Sequence, residues 1–258
     1  MKILALDSSG LVASVAVVEN DTLLAEYTVN YKKTHSQTLL PMLDEISNMT
    51  ELDLSTIDAI AVAGGPGSFT GLRIGSATAK GLGLALEKPL ISIPTTAAIS
   101  YNIWDTDKFV CPIMDARRNQ VYTGVYCYTD HRLDTVWEQD TMSIEALAEG
   151  LNCLDHEVIF LGDGVAVYRE KLEALLTIPF SFAPAHVNRQ RAAAVGALAE
   201  VYYKEGKIQT AEEHEPEYLR KSQAERERAE RESVKHADVV KKQENGESVK
   251  CRSMIWSR

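Results

Sequence analysis

The chain is short of the residues that build metal centres or disulfide frameworks. It has four cysteines in 258 residues, and no two of them are spaced as Cys-x-x-Cys. Its six histidines are scattered without the spacing of metal ligands. The sequence therefore predicts reduced thiols, a cytoplasmic location and no metal site.

Positive charge is also scarce. Lys and Arg number 27 against 37 Asp and Glu, a formal net charge of −10. Because affinity for a phosphate backbone depends on clustered Lys and Arg, this balance argues against a chain that grips nucleic acid by itself. Any RNA would be contacted indirectly, through another subunit.

Long hydrophobic runs are missing as well. The apolar amino terminus, which reaches Val18, is interrupted by Asp7 and is followed by no cleavage-site pattern. It therefore predicts a strand and not a signal peptide. No segment is long and apolar enough to predict a membrane span.

The order of predicted elements repeats. Three strands, a helix, a strand, a helix, a strand and a helix occupy residues 1–104, and the same order returns in residues 105–220. The fold class is α/β, with two βββαβαβα lobes and a cleft between them. Residues 221–258 alternate in charge and lack an apolar stripe, so they predict a charged extension.

A glycine-rich segment joins an apolar strand to a helix in the first lobe. It reads GGPGSFTGLR over residues 64–73. Such a junction can bind an anion on free N–H groups, but the Gly-Lys-Ser/Thr ending of a P-loop is absent. A phosphate-binding loop is therefore not favoured.

The helix that follows carries small residues at every fourth position: Gly71, Gly75, Ala79 and Gly83. These positions share one face, which is nearly flat. Because several interior glycines weaken a helix, close packing must compensate. By spacing alone, the protein's own sheet is favoured over a partner helix as the neighbour of this face.

Two further segments suggest a cleft-facing site. Asp7 is followed by Ser8, Ser9 and Gly10, and Gly162-Asp163-Gly164 lies between a strand and a helix. Asp7 and Ser9 fit a tight turn, because Asp and Ser side chains bond neighbouring backbone N–H groups. Asp115, Arg117 and Arg118 form either an anion site or a hairpin turn with a surface ion pair.

The duplicated plan resembles the actin-like ATPase and sugar-kinase superfamily, and local motifs allow a closer match. Residues 1–220 resemble the TsaB family of the pathway that makes threonylcarbamoyladenosine in tRNA. The motifs that carry this resemblance are LALDSS (4–9), HSQTLLP (35–41), GGPGSFTGLR (64–73), MDARR (114–118), GDG (162–164) and PEYLR (216–220).

The resemblance implies a non-catalytic subunit that pairs with TsaD, the threonylcarbamoyl-transferring subunit, and through that pair with TsaE. It also implies a homodimer when TsaD is absent. The implied pairing surface comprises His35, Thr38, Leu39, Met42, Gly71, Gly75, Ala79 and Gly83. This reverses the preference for an internal contact of the small-residue face.

The resemblance also bears on catalysis. TsaD-like proteins bind a metal through His-x-x-x-His after the strand that follows the small-residue helix, and the corresponding segment here, IPTTAAI (93–99), has no histidine. No cofactor is then required. The alternative is an ATP-dependent phosphotransferase or ATPase, with ATP or ADP and Mg²⁺ in the cleft near Asp7, Ser9, Gly162 and Gly164. Tyr168 stands where active relatives tend to have Asn, which weakens that alternative.

Overall fold

The structure is a computed structural model, and it describes residues 1–31 and 35–220. The strands are β1 Lys2–Asp7, β2 Val12–Glu19, β3 Thr22–Asn30, β4 Ala59–Gly65, β5 Leu90–Pro94, β6 Phe109–Asp115, β7 Gln120–Thr129, β8 Arg132–Ser143, β9 Val158–Leu161 and β10 Phe180–Phe182. The helices are α1 Leu39–Thr50, α2 Phe69–Leu86, α3 Thr95–Ser100, α4 Ile144–Leu154, α5 Val165–Leu175 and α6 Ala192–Lys204.

The strands form two five-stranded sheets of identical topology. Sheet A has the order β3-β2-β1-β4-β5 and sheet B the order β8-β7-β6-β9-β10. In each sheet the first two pairings are antiparallel and the last two are parallel. The predicted α/β fold class, with the βββαβαβα order repeated in the two halves of the chain, is confirmed.

Alternate residues of the central strands face different hydrophobic cores. In β1, Leu4 and Leu6 point toward α1 and α2, while Ile3 and Ala5 belong to a second core that also contains residues of sheet B. A third core packs α4 and α5 on the far face of sheet B. This period of two is the expected consequence of burying both faces of a sheet.

The last helix of each half packs largely against the sheet of the other half. Helix α6 follows sheet B in the chain, yet it contacts β1 and β2 of sheet A. Helix α3 follows sheet A, yet it contacts β6 and β7 of sheet B. The core between the two sheets is therefore built from both halves of the chain.

Three helices begin at positions defined by their neighbours in the chain or in sheet A. Residues His35–Gln37 form a 3-10 turn, and α1 begins at Leu39. Strand β8 continues to Ser143, whose hydroxyl accepts a hydrogen bond from the Ala146 amide and so starts α4. Helix α6 begins at Ala192, where side chains of sheet A cap its first amides: Ala192 N donates to Ser14 Oγ and Ala193 N to Glu26 Oε1.

Residues Met1–Leu219 form one compact unit. The predicted lobe boundary at residues 104 and 105 lies between α3 and β6 and stays a prediction. The predicted extension, 221–258, lies outside the described residues. Within the described part of the chain, no helix is sufficiently long and apolar to cross a lipid bilayer.

Candidate functional site

The glycine-rich segment is held by the turn between β1 and β2. Ser68 caps α2, since its hydroxyl oxygen accepts a hydrogen bond from the Gly71 amide at 3.3 Å. The Ser68 amide itself donates to the carbonyl oxygen of Ser9 at 2.7 Å. A donor that an anion would need is thus already used within the protein.

The small-residue face of α2 is turned inward. A Cβ on Gly71 would stand 2.0 Å from the Ser8 carbonyl oxygen, and one on Gly75 would stand 2.5 Å from Ser8 Oγ. At Gly83 the nearest atom would be Leu90 Cδ1 at 2.4 Å, and Ala79 is fully buried. The prediction that these four residues form an exposed partner-binding ridge is wrong, because their lack of bulk admits the protein's own β1–β2 turn and sheet.

Helix α1 shows the same inward orientation. Leu39 and Met42 are buried in the core between α1, α2 and sheet A, so they too are wrongly predicted as exposed interface residues. His35 and Thr38 are half-buried. His35 Nε2 lies 2.8 Å from the Gly10 carbonyl oxygen, which attaches the 3-10 turn to the β1–β2 turn. A role for His35 and Thr38 in partner binding stays a prediction.

The opposite face of α2 and the two flanks of α1 carry exposed residues. We define the outer surface as Leu40 and Met49 of α1 with Ala77, Gly81 and Leu84 of α2, which are all exposed. The two helices contact each other on one face of sheet A. Sequence reasoning missed this surface, although Ala77, Gly81 and Leu84 are also spaced by four and three residues.

Asp7 is buried at the end of β1. Its Oδ1 accepts hydrogen bonds from the amide and the hydroxyl of Ser9, at 2.8 and 2.7 Å. Burial raises the pKa of Asp7 to about 6, against the lowering effect of the Ser9 hydrogen bonds and of the nearby His35. This geometry suits a turn-forming carboxyl. Contacts of Asp7 to a nucleotide or Mg²⁺ stay a prediction.

The GDG segment of the second half has a packing explanation. Gly162 has a φ of +103°, and a Cβ there would stand 2.2 Å from the Ile113 carbonyl oxygen. The Gly164 amide donates to that same oxygen at 2.9 Å. Both glycines therefore let the chain pass close to β6, a requirement independent of any purine.

Asp163 and Asp115 meet beside this turn. Asp163 Oδ1 accepts from the Asp115 amide at 3.2 Å, and burial raises the pKa of Asp163. Asp115 also pairs with the exposed Arg117, at 3.5 Å, and accepts a hydrogen bond from the Tyr168 hydroxyl. Arg117 and Arg118 lie in a turn with positive φ. The hairpin turn with a surface ion pair is present, and the anion-binding alternative stays a prediction.

The segment that corresponds to the metal-binding helix of TsaD-like proteins is α3. Thr95 and Thr96 are fully buried there. Thr96 Oγ1 lies 2.8 Å from the Tyr126 hydroxyl and donates to Gln139 Oε1 at 2.7 Å. The segment thus joins the two halves through hydroxyl groups. Among the described residues, no group of three His, Cys, Asp or Glu side chains is placed to hold a metal ion.

Residues 209–219, which we term the strap, run along one flank of α2 to the glycine-rich segment. The Glu217 amide donates to the Gly64 carbonyl oxygen at 2.7 Å. The Tyr218 ring lies 4.7 Å from that of Phe69, and Lys80 Nζ donates to the His214 carbonyl oxygen. The PEYLR motif is therefore a structural partner of the glycine-rich motif.

Comparisons with known proteins show which family this chain resembles. A family model described as TsaD, tRNA N6-adenosine threonylcarbamoyltransferase, matches residues 22–228. The tRNA threonylcarbamoyladenosine biosynthesis protein TsaB of Bacillus subtilis is 32% identical over 225 residues, which cover 87% of this chain and 96% of the relative. TsaB of Escherichia coli is 30% identical over 232 residues, with the same shares covered.

Solved structures give the same result. A Pseudomonas aeruginosa protein described as similar to the peptidase YeaZ matches with a TM-score of 0.74 and 27% identity, covering 85% of this chain and 99% of that one. YeaZ from Pseudomonas aeruginosa matches with a TM-score of 0.73 and 27% identity, covering 84% and 99%. The chain therefore belongs to the TsaB family of tRNA threonylcarbamoyladenosine biosynthesis proteins.

Proposed function

We propose that this chain is a non-catalytic cytoplasmic subunit of tRNA threonylcarbamoyladenosine biosynthesis, which binds a TsaD transferase through the outer surface of α1 and α2. Its membership of the TsaB family supports the pathway. The match of residues 22–228 to the TsaD family model supports a pairing of two related subunits. TsaE joins through that pair, and tRNA is contacted by the partner subunits.

The observation that carries the proposed surface is the space around Gly81. No atom lies within 4 Å of a Cβ placed on this residue, whereas Gly71, Gly75 and Gly83 each have an atom within 2.5 Å. A glycine in an exposed helix interior weakens the helix and serves no internal contact. A partner backbone that approaches α2 closely gives it a use.

Exposed apolar side chains support the same assignment. Leu84, three residues after Gly81 on the same face of α2, is 60% exposed, and on α1 Leu40 is 53% and Met49 77% exposed. Large exposed apolar groups are unfavourable in water and are common at protein interfaces. The revised surface uses the helices of the original prediction, but other faces of them.

The absence of catalysis is supported by two groups. Asp7 is fully buried and bonded by Ser9, which leaves it poorly placed to position a nucleotide. Thr96 lies in the segment where TsaD-like proteins carry histidines. Its hydroxyl is hydrogen-bonded to Tyr126 and Gln139. The alternative ATPase predicts turnover of ATP by this chain alone, and we expect none.

The test is threonylcarbamoyl transfer to tRNA by the cognate TsaD and the other pathway components. We expect transfer to require this chain, and Gly81→Arg to abolish both transfer and TsaD binding while the variant stays folded. The matched control is Ala146→Arg, which adds the same side chain to an exposed position of α4. Full activity of Gly81→Arg, or equal loss in the control, would overturn the surface.

The same assay tests the subunit role separately from the proposed contact surface. Transfer that proceeds equally well without this chain would reject the subunit role altogether. Dependence on the chain combined with an active Gly81→Arg would retain the role and move the contact elsewhere. Loss of ATP turnover in Asp7→Ala, if turnover existed, would favour the enzyme.

A further inference from the structure

A pocket of about 490 Å³ lies away from the outer surface of α1 and α2. Its walls come from the end of β2, the β2–β3 turn, the segment after α3 and the first turns of α6. Val18, Leu23 and three alanines of α6 supply apolar contacts. The volume is in the range of small-molecule sites.

Aromatic rings form one side of this pocket. Tyr101 and Trp104 line it, and their rings meet edge to face with centroids 5.5 Å apart. Tyr128 also contacts Trp104, with ring centroids 5.4 Å apart. Trp104 is nevertheless 57% exposed. An exposed indole that is fixed by two tyrosines offers its π-system to a ligand.

The charge beside these rings is negative. Asp21 lines the pocket, and its amide donates to both carboxylate oxygens of Glu200, at 3.2 and 3.1 Å. Glu200 is only 4% exposed. Neither carboxylate has an ion-pair partner among the described residues. Both charges act on the Tyr101 hydroxyl, whose pKa is raised by burial first and then by Asp21 and Glu200.

The other polar groups do not offset this charge. The Arg191 guanidinium is bound by both oxygens of Glu26, at 3.3 and 3.1 Å from Nε. Asp105, next to Trp104, pairs with His131 at 2.6 Å. The Asn102 amide nitrogen donates one hydrogen bond to the Arg189 carbonyl oxygen, which leaves its second N–H and its carbonyl oxygen for a ligand. The pocket thus presents the Asp21 carboxylate, an amide and aromatic rings.

We propose that this pocket binds an aliphatic amine in its ammonium form, with the charged nitrogen near Asp21 and the ring of Trp104 and the methylene groups against Val18, Leu23 and α6. A cation is attracted by an aromatic face and by a carboxylate, and an apolar chain is not repelled by the alanines. A hydrated Mg²⁺ ion would gain little from the rings, because it gives up its water ligands reluctantly. This site is independent of the proposed pairing with TsaD.

The test is isothermal titration calorimetry of the full chain with hexane-1,6-diamine at about 0.15 M salt. We expect saturable binding of the diamine, and none of hexane-1,6-diol or of MgCl₂ at the same concentration. The diol keeps the methylene chain and loses the charge, while Mg²⁺ keeps the charge and loses the chain. Equal binding of either control, or no saturation by the diamine, would overturn the proposal.

Two variants locate the site. Asp21→Asn and Trp104→Ala should each weaken diamine binding by about tenfold, and Trp104→Phe should retain most of it. Asn tolerates the positive φ of 61° at residue 21. The control is Glu149→Gln, an exposed carboxylate on α4. An equal loss of diamine affinity in Glu149→Gln would show that binding depends only on the net charge of the protein. The pocket would then be rejected as the binding site.

Discussion

Ser8 Oγ lies 2.5 Å from the position where a side chain on Gly75 would begin, and it donates to the carbonyl oxygen of Gly71 at 2.8 Å. The β1–β2 turn is thus seated directly on α2. Two glycines of the helix are required by this contact. Gly81, on the other side of the same helix, is not.

Replacing single glycines of α2 by alanine should therefore change the free energy of unfolding in opposite directions, depending on the face of the helix. Gly81→Ala should raise the free energy of unfolding by about 0.5–1 kcal/mol, because it improves helix propensity in open space. Gly71→Ala should lower it by about 1–3 kcal/mol, because the Ser8 backbone must move. Urea unfolding of both variants is the measurement, and a stabilised Gly71→Ala would contradict the packing.

Asp7 should make stability depend on pH in an unusual direction. Its pKa is raised from 3.8 to about 6 in the folded protein, so the folded state binds more protons between these values. Stability should fall as the pH rises through this window and then level off. Asp7→Asn keeps the oxygen that Ser9 binds and cannot ionise. The difference in unfolding free energy between the two proteins should change by about 3 kcal/mol across the window, and parallel curves would contradict this.

The contact between Thr96 and Tyr126 should be strongly coupled. Thr96→Val leaves a buried tyrosine hydroxyl without this partner, and we expect a loss of about 1–3 kcal/mol of stability. Tyr126→Phe removes the other hydroxyl. In a double-mutant cycle the two losses should sum to more than the loss in the double variant. Additive losses would show that the 2.8 Å contact contributes nothing.

The ion pair of Glu26 with Arg191 should matter more than its surface counterparts. The Glu26 side chain is 11% exposed and also accepts from the Ala193 amide, so Glu26→Gln removes a charge from the start of α6. We expect a loss of about 1–3 kcal/mol. Arg132→Gln, which breaks a pair whose arginine is 70% exposed, is the control and should change stability by less than about 0.5–1 kcal/mol. Equal losses would contradict this ranking.

Without TsaD, the outer surface of α1 and α2 should be covered by a second copy of the chain. We expect a homodimer in sedimentation velocity, dissociation into the heterodimer when TsaD is added, and a monomeric Gly81→Arg. A homodimer that survives both the substitution and the partner would place self-association on another face.

Element order and fold class follow from the sequence because they depend on local periodicity and glycine punctuation. The side toward which the small-residue face of α2 points does not follow from the sequence in the same way. The spacing of Gly71, Gly75, Ala79 and Gly83 shows that something approaches closely, and by itself it favoured the internal contact. The family resemblance reversed that preference, and the structure restores it. The partner, Ser8, is 63 residues away from Gly71 in the chain, a separation that local patterns do not encode.

The contacts of the strap also could not be predicted from local sequence patterns. The PEYLR motif is visible in the sequence, but its contact with Gly64 spans most of the chain and depends on the completed fold. The pocket beside Trp104 was also missed, because its walls come from β2, α6 and the segment after α3. Only the short-range part of the Asp7 site, its bond to Ser9, could be foreseen from the Asp-Ser-Ser-Gly sequence.

The exchange of α3 and α6 between the two sheets has a consequence for how the protein comes apart. A fragment of residues 1–104 would contain sheet A without α6, and its inner face, with Ile3 and Ala5, would be bare. The complementary fragment would lack α3 against β6 and β7. A gene split at the midpoint of this duplicated chain should therefore yield two insoluble pieces that fold only when expressed together.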